Sequence, residues 1–500
     1  MNKKFALLLV LMAALVMGSV TSASAADIKA AGDWQIEADM NSNFDFLGKG
    51  AASSEDKTMN ITQRVRQSFQ FIANENLKGV LEMQLGAANW GTGALGIGAG
   101  RAAGTSAALG SATAGNGNFM LRKGYVDFKW PGTKVNFLVG FQSLSLPSAV
   151  GGGSPVLDDH FAAAAAVVPV TDGLSLVGGF GRLYDSNGSA FTTTGTLSGS
   201  HNNGDVAFLI ANIDMFKGFS VKPWAAYATL GKNIGGSGAG ATNTALPNGG
   251  FFASNASGNE GLRAYWGGAA FTMTAFDPFK VMADFNYGKA TWNNQSGTNK
   301  AEGGRSGFLF DLAVDYTGLS MMTPSVFFAY SSGESGNSTT GGKSDRMPVV
   351  GAPQTYALGS FWLQGGDAIN GNINSPADTM GYWALGMSLK DIKFIDKLSH
   401  TAHLIYFKGT NDVDYLRENT TGTNAVYGKF LTTKDSLWEV DFNTKYQIYP
   451  ELTLGLELGY INTNFDKDVW GNSDTAAKAD YLNYGSKDAY KASLLVNYSF

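Results

Sequence analysis

The chain has 500 residues, a formal net charge of −5, 65 glycines and no cysteine. The missing cysteines exclude a disulfide-stapled fold and thiolate chemistry, and the mildly acidic balance gives no basis for nucleic-acid binding. Although 44% of residues are hydrophobic and 12% aromatic, no apolar run is long enough for a transmembrane helix. That combination suits a large soluble β-protein or a transmembrane β-barrel, whose alternating strands escape hydropathy scans.

At the N-terminus, Lys3 and Lys4 precede an apolar run over 5–17 and the small residues Ala23, Ser24 and Ala25. This order predicts a signal peptide over 1–25, cleaved after Ala25. The run falls short of the roughly 20 residues that span a bilayer. The chain is therefore exported, and 26–500 is expected to form a single barrel domain with no room for a separate plug.

From residue 33 onward the chain alternates with a period of two, which sends successive side chains to opposite faces of a strand. Trp34, Ile36, Ala38 and Met40 alternate with Gln35, Glu37 and Asp39. The pattern recurs in "FKVMADFNY", "FLFDLAVDY", "LWEVDFNTKY" and "LTLGLELGY", which place Asp284, Asp311, Asp315, Glu439, Asp441 and Glu457 on the polar face. One such strand is equally at home in a soluble sandwich. Aromatic residues at the stripe ends, as interfacial belts require, favour the membrane barrel.

The connections agree. Short turns such as "NENLK", "PGT", "TDG", "FKG", "DP" and "YPE" alternate with long loops, among them 91–118, 185–204, 231–261, 333–379, 410–434 and 465–487. Short periplasmic turns and long extracellular loops are the layout of an outer-membrane barrel. The strands between them fall near 33–45, 60–74, 79–90, 118–130, 134–142, 161–170, 174–184, 204–214, 219–230, 261–276, 279–292, 306–317, 323–332, 380–390, 400–409, 435–447, 452–464 and 487–500. The expected fold is thus all-β: a transmembrane antiparallel β-barrel of about eighteen strands, or sixteen or twenty if a hairpin is merged or missed. In the glycine-rich stretch after Gly91, "GIGAG" looks like a nucleotide-binding loop, but no strand-to-helix context follows and it reads as a surface loop. No cofactor-binding or metal-binding motif is read.

The chain ends in "YKASLLVNYSF", with Tyr490, Ala492, Leu494, Val496, Tyr498 and Phe500 on one face. Pairing this last strand with the first would leave no edge exposed to lipid. The terminal Phe500 matches, by resemblance, the signature by which bacterial outer-membrane barrels are recognised for assembly. With "GDWQIEADMNSNF" and "LRKGYVDFKW", the whole chain resembles the trimeric general porins and looks most like the homotrimeric porins of sulfate-reducing bacteria. The resemblance implies a homotrimer in the bacterial outer membrane. It also implies the lipid bilayer, lipopolysaccharide and the barrel assembly machinery as partners, and passive diffusion of small polar solutes and ions as the activity.

For the pore, alternation on "ITQRVRQSFQF" turns Arg64 and Arg66 inward, while "MLRKGYVDFK" offers Arg122 or Lys123, both registers leaving one polar residue misplaced. In general porins a basic ladder faces an acidic loop after the fifth strand, which here carries Asp158, Asp159 and His160. Arg64, Arg66, Arg122, Lys123, Asp158 and Asp159 are the expected constriction. Glu37, Asp39, Asp311, Asp315, Glu439, Asp441 and Glu457 are the expected pore wall, with Lys280 and Lys445 as inward cations. These wall acids predict a weak preference for cations. The alternative is a solute-specific, sugar-type channel lined by aromatics such as Tyr265, Tyr382 and Trp383, which otherwise read as belt residues.

An enzyme is disfavoured. Asp158, Asp159 and His160 are consecutive and cannot converge on one atom from an extended segment. His201, His400 and His403 have no serine two residues away. In a strand, the spacing of "HTAH" puts its two histidines on opposite faces.

Overall fold

A computed structural model of the chain describes residues 26–47, 57–91, 119–184, 203–230, 262–292, 304–336, 344–350, 357–363, 365–369, 371, 373, 380–418, 427–428, 430–471 and 486–500. The expected signal peptide, the "GIGAG" stretch and His201 lie outside these residues.

The alternating segments form eighteen strands: β1 (Asp27–Ser42), β2 (Lys57–Asn74), β3 (Leu77–Asn89), β4 (Phe119–Lys129), β5 (Asn136–Ser145), β6 (Asp158–Thr171), β7 (Leu174–Tyr184), β8 (Gly204–Phe216), β9 (Phe219–Leu230), β10 (Leu262–Phe276), β11 (Phe279–Trp292), β12 (Gly304–Tyr316), β13 (Thr323–Ser331), β14 (Tyr382–Ile395), β15 (Leu398–Gly409), β16 (Ser436–Tyr449), β17 (Leu452–Asn464) and β18 (Ala489–Ser499). Two short helices, α1 (Val413–Glu418) and α2 (Lys467–Trp470), sit in the long connections. No described helix is long and apolar enough to cross a membrane.

Every strand pairs antiparallel with its sequence neighbours, and β1 also pairs with β18, so the sheet closes into a barrel. Closure is completed at the last residue. Phe500 donates its N–H to the Gly32 carbonyl at 3.0 Å and accepts from Gly32 N at 2.8 Å. A Cβ on Gly32 would stand 2.9 Å from the Phe500 ring, so glycine makes room for the terminal aromatic.

Alternation sorts the faces as the sequence requires. Trp34 and Met40 are exposed on the outside of β1, whereas Gln35, Glu37 and Asp39 are buried inside. Aromatic pairs gather at the long-loop ends of the strands: Tyr227 with Tyr265 at 5.0 Å between ring centroids, Phe308 with Tyr330 at 5.3 Å, and Tyr406 with Trp438 at 4.9 Å. Others gather at the short-turn ends, including Trp130 with Phe137 at 6.0 Å and Phe279 with Tyr316 at 5.2 Å. Two aromatic belts flanking an apolar band are the outer surface of a membrane barrel. Tyr265 and Trp383 belong to the upper belt, Trp383 lying 5.4 Å from Tyr406. Tyr382 instead faces inward, only 2% exposed, against Trp362 and Phe407.

The inside is partly filled. A continuous apolar cluster runs over the inner faces of β6, β8, β9 and β10, where Phe161, Val206, Phe208, Trp224 and Trp266 meet Leu146, Val156 and Leu157 from the β5–β6 connection. Covering inward apolar side chains with loop residues stabilises by about 1.5–3 kcal/mol for each large side chain fully buried.

Candidate functional site

Among the described residues, two connections border the lumen. The first, 146–157 between β5 and β6, is latched to β11 by Asp284, whose carboxylate accepts from Ala149 N and Val150 N at 2.8 Å and from the Ser148 hydroxyl at 3.0 Å. Asp311, the register partner of Asp284 on β12, accepts from the Asp284 N–H at 3.1 Å. The sequence expectation of an inward loop after the fifth strand therefore matches the structure. Its acids lie elsewhere, because β6 starts at Asp158 and takes Asp158 and Asp159 into the wall.

The second connection, between β13 and β14, was not legible as an inward segment. Its residues 344–350 lie on the β10 wall, where the Trp266 indole donates to the Pro348 carbonyl at 2.7 Å. Its residues 357–363 and 365–369 lie across β16, β17 and β1. Glu439 accepts from Ser360 N, Phe361 N and Trp362 N at 3.1, 3.0 and 3.0 Å, and Asp441 accepts from Ser360 N at 2.8 Å. Glu457 accepts from Asp367 N and from the buried Lys491 ammonium at 3.0 Å, and Glu37 accepts from Ile369 N. Gly359 makes this approach possible, since a Cβ there would lie 2.2 Å from a Glu439 carboxylate oxygen. The two segments also hold each other: Val350 N donates to the Val156 carbonyl at 2.9 Å and Ala357 N to the Gly151 carbonyl at 2.8 Å.

This corrects the reading of the pore wall. Glu37, Asp39, Asp311, Glu439, Asp441 and Glu457 do face inward, but each is at most 3% exposed. Glu37, Glu439, Asp441 and Glu457 hold loop N–H groups, Asp311 supports Asp284, and Asp39 accepts from the Ser493 hydroxyl at 2.6 Å. A buried carboxylate needs such donors to offset its lost hydration. Of the expected wall acids only Asp315 borders the open lumen, paired with Lys390 at 2.9 Å.

The lumen that remains is a cavity of about 1310 Å³ bordered by both inward segments. All six expected constriction residues line it: Arg64, Arg66, Arg122, Lys123, Asp158 and Asp159. They come from β2, β4 and β6, and therefore share one arc of wall instead of forming two opposed rings. The ambiguity between Arg122 and Lys123 is resolved by a β-bulge. Glu82 pairs with Lys123 and Met83 with Leu121, leaving Arg122 as the extra residue. A bulge sets two residues against one on the partner strand. Accordingly, Arg122 and Lys123 both reach Glu82, at 2.9 and 2.7 Å.

Within the arc, Arg64 bonds the Gln35 amide oxygen and lies 4.0 Å from Asp33, and Arg66 donates to the Gln84 amide oxygen at 2.9 Å. Arg122 also lies 3.2 Å from His160 Nε2. Four cationic side chains thus share this arc with four carboxylates, Asp33, Glu82, Asp158 and Asp159. The cavity is bordered elsewhere by Lys280, Lys390 and Lys445, the last joined to Asp367. The two histidines of "HTAH" diverge as the alternation requires: His400 stacks on Phe442 at 5.2 Å, whereas His403 borders the cavity. His403 does find a serine across the strand pair, Ser388, at 2.7 Å. The signal for that contact is the pairing of β14 with β15, which sequence spacing alone does not display.

No protein-family model matches the chain, and no curated protein sequence matches it. Among solved structures it is similar to Pseudomonas aeruginosa OccK9 (OpdG), with 13% identity, coverage of 95% of this chain and 98% of that one, and a TM-score of 0.50. Pseudomonas aeruginosa OpdQ gives 13% identity over 95% and 98% with a TM-score of 0.49, and the outer membrane protein OprD from the same organism 13% over 94% of each chain with 0.48. At this identity the likeness to OccK9 is one of fold. Together with the closed eighteen-stranded sheet and its two aromatic belts, it fits the barrel architecture of outer-membrane proteins.

Proposed function

We propose that the chain forms a channel in the bacterial outer membrane, through which small hydrophilic solutes pass by diffusion along a lumen narrowed by two inward segments. The observation that carries this reading is the cavity between those segments, with Arg64, Arg66, Arg122 and Lys123 on one arc of its wall. Charged groups at a narrow aqueous path set its size limit and charge preference. Because Glu37, Asp284, Glu439, Asp441 and Glu457 are taken up by loop backbone, Arg64, Arg66, Arg122, Lys123, Lys280, Lys390 and Lys445 face Asp33, Glu82, Asp158, Asp159, Asp315 and Asp367 around the cavity, and the surplus is a small positive one. A modest preference for anions replaces the weak preference for cations that a count of wall charges suggests.

The same narrowing favours a solute-selective channel over a general diffusion pore. An inward loop after the fifth strand is common to general porins; the support for selectivity is the second segment, held over the wall by Glu439 and Glu457, which narrows the lumen further. A homotrimer assembled through the barrel walls remains part of the proposal, from the resemblance to trimeric porins. Proteoliposome swelling tests the channel directly. Small charged solutes should enter at rates far above those of empty liposomes, and rates should fall steeply with solute size. Entry no faster than into empty liposomes would exclude a channel.

A further inference from the structure

One arc of the outer face departs from the apolar pattern of the barrel. On β10, Arg263 and Tyr265 are exposed on the outside, alternating with the buried Ala264 and Trp266. On β11, Tyr287 and Lys289 are exposed in the same way, alternating with the buried Asn286 and Ala290. Tyr265 is the register partner of Lys289, and Arg263 that of Thr291. Arg263 and Lys289 are therefore diagonal neighbours across the strand pair, a separation of about 7–8 Å that two long side chains can close on one group. Both stand at the long-loop edge of the upper aromatic belt, beside the Tyr227–Tyr265 pair.

Their charges are not met within the protein: neither residue forms an ion pair among the described residues. The outward carboxylate of the same row, Asp205 on β8, is held by Arg182 at 2.8 and 3.3 Å. Thr229 on β9 stands between Asp205 and Arg263, and Thr291 follows Arg263 on β11, so hydroxyl residues flank the guanidinium on both sides. Two like charges side by side at the rim of an apolar band repel each other, and more strongly as the local dielectric falls. An anion between them turns that repulsion into attraction. A guanidinium, an ammonium and hydroxyls are the donors that a phosphate takes. The barrel does not offer them all round. At β17 and β18, Asp488 lies beyond the belt residue Tyr460, accepts its phenol at 2.6 Å and the Asn462 amide at 3.1 Å, and presents a negative charge instead.

We infer that Arg263 and Lys289 form a docking site for the phosphate of an outer-leaflet glycolipid, whose acyl chains lie down the apolar face of β10 and β11. A lipid fits better than a free anion because its chains fix the phosphate at the depth of the upper belt, where these two cations stand. The exposed Phe285 and Tyr287 rings supply the apolar surface beneath it. The inference rests on the outer-membrane reading above. It is independent of which solutes cross the lumen, since neither cation borders the cavity.

Native mass spectrometry of the purified protein in neutral detergent tests this, with diphosphoryl lipid A and its dephosphorylated form as probes. Each cation should contribute about fivefold to binding of the phosphorylated lipid, the worth of one basic residue beside an anionic lipid surface. Arg263→Ser combined with Lys289→Ser should therefore weaken that binding by about tenfold to thirtyfold and leave the dephosphorylated lipid unaffected. Lys134→Ser combined with Lys217→Ser removes two exposed charges from the short turns and should change neither. Should the first double variant fail to run as a folded barrel on unheated gels, Lys289→Gln alone decides, through an expected fivefold drop in the ratio of phosphorylated to dephosphorylated lipid bound. An unchanged ratio, an equal loss in the short-turn variant, or displacement of the lipid by inorganic phosphate at the same concentration would overturn the site. Fractionation of the native cells separates this from failure of the outer-membrane reading: a chain absent from the outer membrane removes the premise, whereas a chain present there with an unchanged ratio removes only the site.

Discussion

Asp284 on β11 accepts the backbone N–H of Ala149 at 2.8 Å, across 135 residues of sequence, and with it holds one inward segment against the far wall. Hydrogen bonds to an ionised carboxylate contribute about 1.5–3 kcal/mol each, and Asp284 receives donors from Ser148, Ala149 and Val150. Asp284→Ala should therefore free the segment while leaving the barrel closed. The expected result is a higher and noisier single-channel conductance, with unchanged heat resistance of the barrel on gels. Wild-type conductance and noise would show that other contacts fix the segment.

Glu82 sits between Arg122 and Lys123, partnering both. Glu82→Gln removes one negative charge and keeps the shape, so the arc becomes more positive. The chloride-to-potassium permeability ratio should rise by up to about fivefold, since a unit charge at 4 Å in water is worth about 1 kcal/mol. The effect should shrink at high salt as screening shortens.

At the other end of the fold, Phe500 completes the β1–β18 seam and packs on Tyr498 at 5.3 Å. Deleting it should lower the amount inserted in the outer membrane without blocking export. Fractionation of cells expressing the truncated chain reads this out, and normal membrane levels would count against an assembly role.

Oligomeric state is a separate expectation. In mild detergent the protein should run at about three times the mass of the monomer by light scattering, and heating should reduce it to one. A monomer at all concentrations would remove the trimer and leave the channel unaffected.

Much of this fold is visible in the sequence because period-two alternation is a local signal, and Glu37 between Ile36 and Ala38 needs no partner to declare its face. The short and long connections of "YPE" and "DP" against 333–379 fix the hairpin order in the same way. What a polar side chain inside the barrel does depends on distant backbone. Glu439 reads as a water-facing wall charge until Ser360, Phe361 and Trp362 are placed over it, 79, 78 and 77 residues away. A clue was present: Phe361, Trp362 and Leu363 form an apolar run inside a loop, flanked by Gly359 and Gly365, which a solvated loop does not require. The bulge at Arg122 was equally hidden, since inserting one residue into a ladder depends on the partner strand.

The reversal potential in a potassium chloride gradient across a planar bilayer tests the central claim most directly. The small surplus of cations around the cavity predicts a modest anion preference for the wild type. Replacing Arg64 and Arg66 by Gln should shift the potential toward cations, and Glu439→Gln should leave it nearly unchanged because that carboxylate is buried under the loop and not in the path. A cation-selective wild type whose selectivity collapses in Glu439→Gln, with no response to loss of the two arginines, would contradict the account.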